Sequence, residues 1–185
     1  MKKAILGILL IFTLMQGCLF GGDATNTAEQ LAGVRSSFIS NGLLVPSSVQ
    51  TREQYRDDIL PFRSAINSVS GKDGETLRAY LDGSLALLSA VEYTDEALRL
   101  LGNVKLDAPD CGTNSPVMKA VRAMENARKD AQHAHTQFVV VQDNPTIANA
   151  LGADYVLNAV QTSLAVYETH GERINDLKSA CGITV

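Results

Sequence analysis

From Thr27 onward, apolar residues return every three or four positions, the spacing that keeps one face of an α-helix against a core. A first helix is predicted over Thr27–Ser40, with Leu31, Val34 and Phe38 on one face and Asn41-Gly42 as its stop. A second follows Pro46, where Ser47 and Gln50 have the spacing of a capping box. Its stripe is Tyr55, Ile59, Phe62, Ile66 and Val69, and Gly71 closes it. Pro61 lies inside that stripe and lacks the N–H that a helix interior uses, so a kink is expected there.

A third helix is predicted from about Asp73 to Leu101, with Leu77, Leu81, Ser84, Leu88, Val91 and Leu98 facing inward and Gly102 as its stop. The segment GNVKLDAPDCGTNSP then reads as a loop. Ser115-Pro116 and Asn144-Pro145 each place a helix-starting residue before a proline whose missing N–H is not needed in a first turn. They frame a fourth helix, Pro116–Gln142, with the stripe Val117, Ala120, Met124, Ala127, Ala131, Ala134, Phe138 and Val141. The alanines in that seam allow a neighbouring helix to approach closely. A fifth helix, Pro145–Ala180, carries Ala150, Ala153, Leu157, Val160, Leu164, Tyr167, Gly171 and Ile174, with Gly152 and Gly171 as weak points. No useful strand alternation appears. The expected fold is all-α, an up-down bundle of four long antiparallel helices plus a shorter N-terminal helix, formed as a single domain by residues 27–185.

The residues before this domain have a different character. Lys2 and Lys3 precede an apolar run from Ala4 to Met15, which is shorter than the roughly 20 residues of a membrane span and has the layout of a secretory signal. A conventional cleavage after small residues has candidates at Gly17 and at Gly21 to Ala24. Leu14-Met15-Gln16-Gly17-Cys18 resembles the lipobox of prokaryotic membrane lipoproteins, with Met15 where leucine is usual and Gln16 where alanine or serine is common. The resemblance implies a signal peptide at 1–17, diacylglyceryl and palmitate-type acylation of Cys18, and a short tether at 18–26.

Cleavage before Cys18 leaves 168 residues with 14 Lys/Arg and 20 Asp/Glu, a net charge of −6. That length builds a core without help, and that charge does not suit a nucleic-acid partner. Of three cysteines, lipidation of Cys18 leaves Cys111 and Cys181. Counted from Asn144, they lie 33 residues back along one arm of the predicted hairpin and 37 forward along the other. At about 1.5 Å of helix rise per residue the arms end at similar heights, so a Cys111–Cys181 disulfide is expected; the alternative is two buried thiols.

Candidate chemistry is sparse. His133 and His135 are two positions apart, which sets them on different sides of a helix, and Glu168-Thr-His170 lacks the spacing of a di-iron motif. No catalytic site, metal site or cofactor is expected. Carboxylates at Glu92, Asp95, Glu96, Glu168 and Glu172 are read as a solvated face, or as a surface for a basic partner. The expected function is that of a lipid-anchored, extracytoplasmic cell-envelope protein, attached to the membrane through Cys18, whose bundle binds or scaffolds another protein. The alternative is an extracytoplasmic bundle that binds a small molecule or senses one, with Pro61, Gly152 and Gly171 opening room between helices.

Overall fold

The computed structural model describes residues 23–39, 43–102, 104 and 109–183. Cys18, the leader at 1–17 and most of the tether lie outside them. The described residues are helical, with no strand among them, so the all-α class is observed. The helices are α1 (Ala24–Phe38), α2 (Val49–Ile59), α3 (Phe62–Asn67), α4 (Gly71–Leu101), α5 (Pro116–Gln142), α6 (Pro145–Leu151) and α7 (Ala153–Ala180).

The start signals act locally, with one displacement. Ser115 accepts a hydrogen bond from Met118 N at 3.2 Å and Pro116 occupies the first turn of α5. The capping box of α2 falls one residue later than expected, on Ser48 and Thr51. There the Thr51 hydroxyl returns to the Ser48 N–H, so the side chain at the third helical position, and not Gln50, completes the reciprocal pair. Leu60 and Pro61 keep right-handed helical dihedrals between α2 and α3, while the bonds across the proline shorten to the i+3 type. The chain therefore kinks at Pro61 and continues. Gly71, expected to close this segment, opens α4 instead.

The ion pairs Arg52–Asp95, Arg56–Glu92 and Arg63–Asp82 advance along α2–α3 as they retreat along α4, which fixes the two as antiparallel. The α4–α5 hairpin is pinned at its other end, where buried Asn144 donates to Asp73 Oδ1 at 2.8 Å and Thr76 Oγ1 at 3.1 Å. α5 packs along both α4 and α7. Glu125–Lys178 and the Cys111–Cys181 link set α5 and α7 antiparallel as well. Three of the described helices are long, at 31, 27 and 28 residues, while α2 and α3 are short, at 11 and 6.

Burial follows the predicted stripe of α5 at every position from Val117 to Val141. On α4, Leu77, Leu81, Ser84 and Leu88 are buried, but Val91 is half-buried and Leu98 is exposed, with Ala97 turned inward. The largest correction concerns the fifth helix. It is broken at Gly152, whose φ of +90° is open to glycine and hostile to other residues. The apolar phase read through Ala150 and Ala153 does not survive that turn. α7 buries Val156, Ala159, Ser163, His170, Ile174 and Leu177, while Leu157 and Leu164 face solvent.

The interior has two apolar clusters. One, toward the Asp143 turn, contains Tyr55, Tyr80, Phe138, Ile147 and Leu151 and receives α1. The other, toward the cysteines, is aliphatic and smaller, with Ala97, Val117, Val121, Met124, Ile174 and Leu177. Ala90, Ala127, Ala131 and Ser163 are buried but belong to neither, and form a waist of small side chains between the two. Small residues at the waist match the close approach expected of an alanine seam.

Candidate functional site

Gly152 and Gly171 are the two positions where the fifth helix was expected to leave room for a ligand. Arginines occupy both. Arg35 reaches from α1 so that a Cβ on Gly152 would meet its Nη2 at 3.1 Å, and its guanidinium stacks 4.0 Å above the Tyr155 ring. The same group donates to Leu151 O and, at 3.4 Å, to the Tyr80 hydroxyl. Planar delocalised charge suits both roles, since it stacks on an aromatic face while its edge donates hydrogen bonds. Arg128 on α5 repeats the device: it lies 4.3 Å from the centre of the Tyr167 ring, with Nε 3.2 Å from where a Cβ on Gly171 would stand.

Around Arg35 the space is filled by edge-to-face aromatic contacts. Tyr80, Phe138 and Tyr155 lie 6.1 to 6.4 Å apart, and the Tyr155 hydroxyl donates to Leu44 O at 3.1 Å. Burial pushes the Tyr55 and Tyr155 hydroxyls well above the usual tyrosine range, so both stay protonated. The pattern of apolar spacing could not reveal this centre, because Arg35 reads as a polar break in the α1 stripe. Its signal is a tyrosine within one helical turn of a glycine, Tyr155 three residues after Gly152 and Tyr167 four before Gly171.

At the waist, His170 is 4% exposed. Thr94 Oγ1 donates to Ala90 O at 2.7 Å, so His170 Nε2, also 2.7 Å from that oxygen, is the donor to it. Nδ1 is buried with no hydrogen-bond partner among the described residues. A proton there would create a buried cation with an unanswered donor, and burial, reinforced by Arg173, lowers the His170 pKa below its usual value. The unfolded chain then takes up the proton first, at about pH 6.5. Stability contributed by neutral His170 is full above that pH and is lost as pH falls through the folded-state value. Asp58 and Asp130, whose carboxyls burial raises, act with the opposite sign at lower pH. The expected result is a larger drop in melting temperature from pH 7 to pH 5 for the natural chain than for His170→Gln, measured by calorimetry.

The other residues singled out by sequence are dispersed. His135 contacts Val160 O at 3.0 Å, while His133 is exposed. Glu92 and Asp95 are not free for a partner, since Arg56 and Arg52 hold them at 2.9 and 2.5 Å. Arg52 is itself 3% exposed and also donates to Pro46 O and Ser47 O, which fastens the entry of α2 to α4. Glu96, Glu168 and Glu172 are exposed. Cys111 and Cys181 come together, with Cα atoms 5.5 Å apart and sulfurs at 2.12 Å, the separation of a disulfide.

Large apolar side chains are exposed at several places, among them Val49, Leu98 and Val140, and two of them share the outer side of α7. Leu157 and Leu164 are 44% and 39% exposed. Leu157 also borders a shallow open groove over the α6–α7 junction, lined by Pro145, Ala148, Ala153, Asp154 and Val156 among others. The groove lining is mixed, with Gln142, Asn149 and Asp154 beside the apolar residues. No protein-family model, curated protein or solved structure matches the chain.

Proposed function

We propose that this chain is a lipid-anchored protein of the cell envelope, held to the membrane through Cys18, whose antiparallel helical bundle presents a rigid surface to a protein partner. The observation that carries the choice of a surface over a ligand cavity is the sealing of Gly152 and Gly171 by Arg35 and Arg128. A sensory or small-molecule bundle needs space between its helices, and of the three places that sequence offered for it, the two glycines are met by stacked guanidinium groups. The paired Cys111 and Cys181 support an extracytoplasmic address, since disulfides persist in oxidising compartments. We propose no catalytic step, no cofactor and no nucleic-acid partner. No described helix is long and apolar enough to cross a membrane, and in this reading attachment rests on Cys18 alone.

The test is the state of residue 18. Mass spectrometry of the mature chain is expected to find an N-terminal Cys18 carrying acyl mass, and Cys18→Ser is expected to shift the protein from the membrane fraction to the soluble one. A mature chain beginning at Asp23 or later would overturn the anchor.

A further inference from the structure

We propose that the outer face of α7, with the groove at the α6–α7 junction, is a docking site for an amphipathic helix of a partner whose apolar stripe is flanked by lysine or arginine. The inference rests on the reading of the bundle as a protein-binding surface, and it names where binding occurs and the chemistry of what binds. α7 is amphipathic twice. Its inner stripe builds the core, with Val160 packed against it, while Ala153, Leu157 and Leu164 are exposed on the outside at spacings of four and seven. That is the seam one helix offers to another, and seven residues bring Leu157 and Leu164 within about 20° of each other around the helix.

The groove continues this seam. Pro145, Ala148 and Ala153 are small or flat, so a partner's leucine-sized side chain enters beside Leu157, in the manner of a helix laid in a groove by anchors at i, i+3, i+4 and i+7.

Charge selects the partner. Asp154 stands one turn before Leu157, and Glu168 and Glu172 stand one and two turns after Leu164; none of the three forms an ion pair among the described residues. Of the other acidic residues raised by sequence, Glu92 and Asp95 are held by internal arginines, and Glu96 is exposed on α4, away from this face. Carboxylates at both ends of an apolar seam disfavour an antiparallel second copy of α7, which would bring carboxylates against carboxylates, and favour a partner with basic residues flanking its apolar stripe.

The test uses the full chain in zwitterionic nanodiscs and a fluorescent synthetic helix with leucines at i, i+3, i+4 and i+7 and lysines on both flanks. Empty nanodiscs provide the background, and a peptide with glutamates replacing the lysines is the control. Anisotropy is expected to show binding of the lysine peptide only. Leu157→Ser with Leu164→Ser is expected to weaken it by about tenfold or more, and Glu168→Lys to weaken it in a salt-dependent way. Both leucines are already exposed, so the serines leave the core unchanged. The proposal is overturned if the lysine peptide does not bind, if both peptides bind equally, or if the double serine chain binds as before. It is also overturned if sedimentation shows a dimer that the same serines abolish, since a second copy then covers the face. Failure here with Cys18-dependent membrane attachment intact rejects the groove and leaves the anchor standing.

Discussion

Replacing both Cys111 and Cys181 by serine is expected to cost about 4 kcal/mol of stability, the chain-entropy value for releasing a loop of this length. The two residues are 70 apart in sequence, so the unlinked denatured chain gains a large conformational freedom that the native chain does not share. The position of the link adds to its weight. It closes the end of the bundle whose cluster is aliphatic and built from valine, alanine and single longer side chains, without an aromatic among its buried members. Arg122 ties the same loop to α5 through Thr113 O, but that contact is exposed and replaces little. Chemical denaturation of the natural and doubly substituted chains checks the value, and an unchanged midpoint would show that the link contributes nothing.

Phe138→Ala is expected to cost about 3 to 5 kcal/mol, the range for deleting a buried aromatic ring. Phe138 is fully buried and stands edge-on to both Tyr80 and Tyr155. Its far edge meets α4 at Gly83, where a Cβ would lie 3.2 Å from Phe138 Cε2. The ring therefore fits a notch that exists only because Gly83 has no side chain. Removing it leaves a void bounded by stiff neighbours that are themselves locked, Tyr155 by Leu44 O and Tyr80 by Arg35, so the site collapses poorly. Urea unfolding measures the loss, and Phe138→Leu should recover part of it by refilling volume. A cost below about 1 kcal/mol for the alanine chain would mean that the aromatic centre is more yielding than its contacts imply.

The helices themselves were legible because periodicity, caps and prolines act within a few residues. The Ser115-Pro116 start and the whole α5 stripe are products of that local physics, and so is the persistence of helical dihedrals through Pro61. The reach from Cys111 to Cys181 was legible too, because helix rise is constant and the two arms count to similar lengths. The phase of α7 was not, since a single glycine at positive φ resets which side of a helix faces inward, and nothing at Ala150 or Ala153 reports the reset. Arg35, Arg52 and Arg128 were missed for a related reason: long side chains with charged heads serve the interior only where a ring, a carbonyl or a carboxylate from another segment meets them. The Cys18 anchor is a local motif, and its role stands as a proposal on the residues alone.

The alanine waist has a consequence for how the molecule comes apart. The two apolar clusters meet across a waist of Ala90, Ala127, Ala131, Ser163 and His170, short of large apolar side chains, so the joint between them is expected to be the weaker part of the core. The cysteine end is then expected to open before the aromatic end, with the covalent link limiting how far the separated segments travel. In such a molecule amide protons would be graded along the length of α5, slowest near Phe138 and fastest near Val117. Reduction would act on one end as a latch and leave the outer side of α6 and α7 as it was.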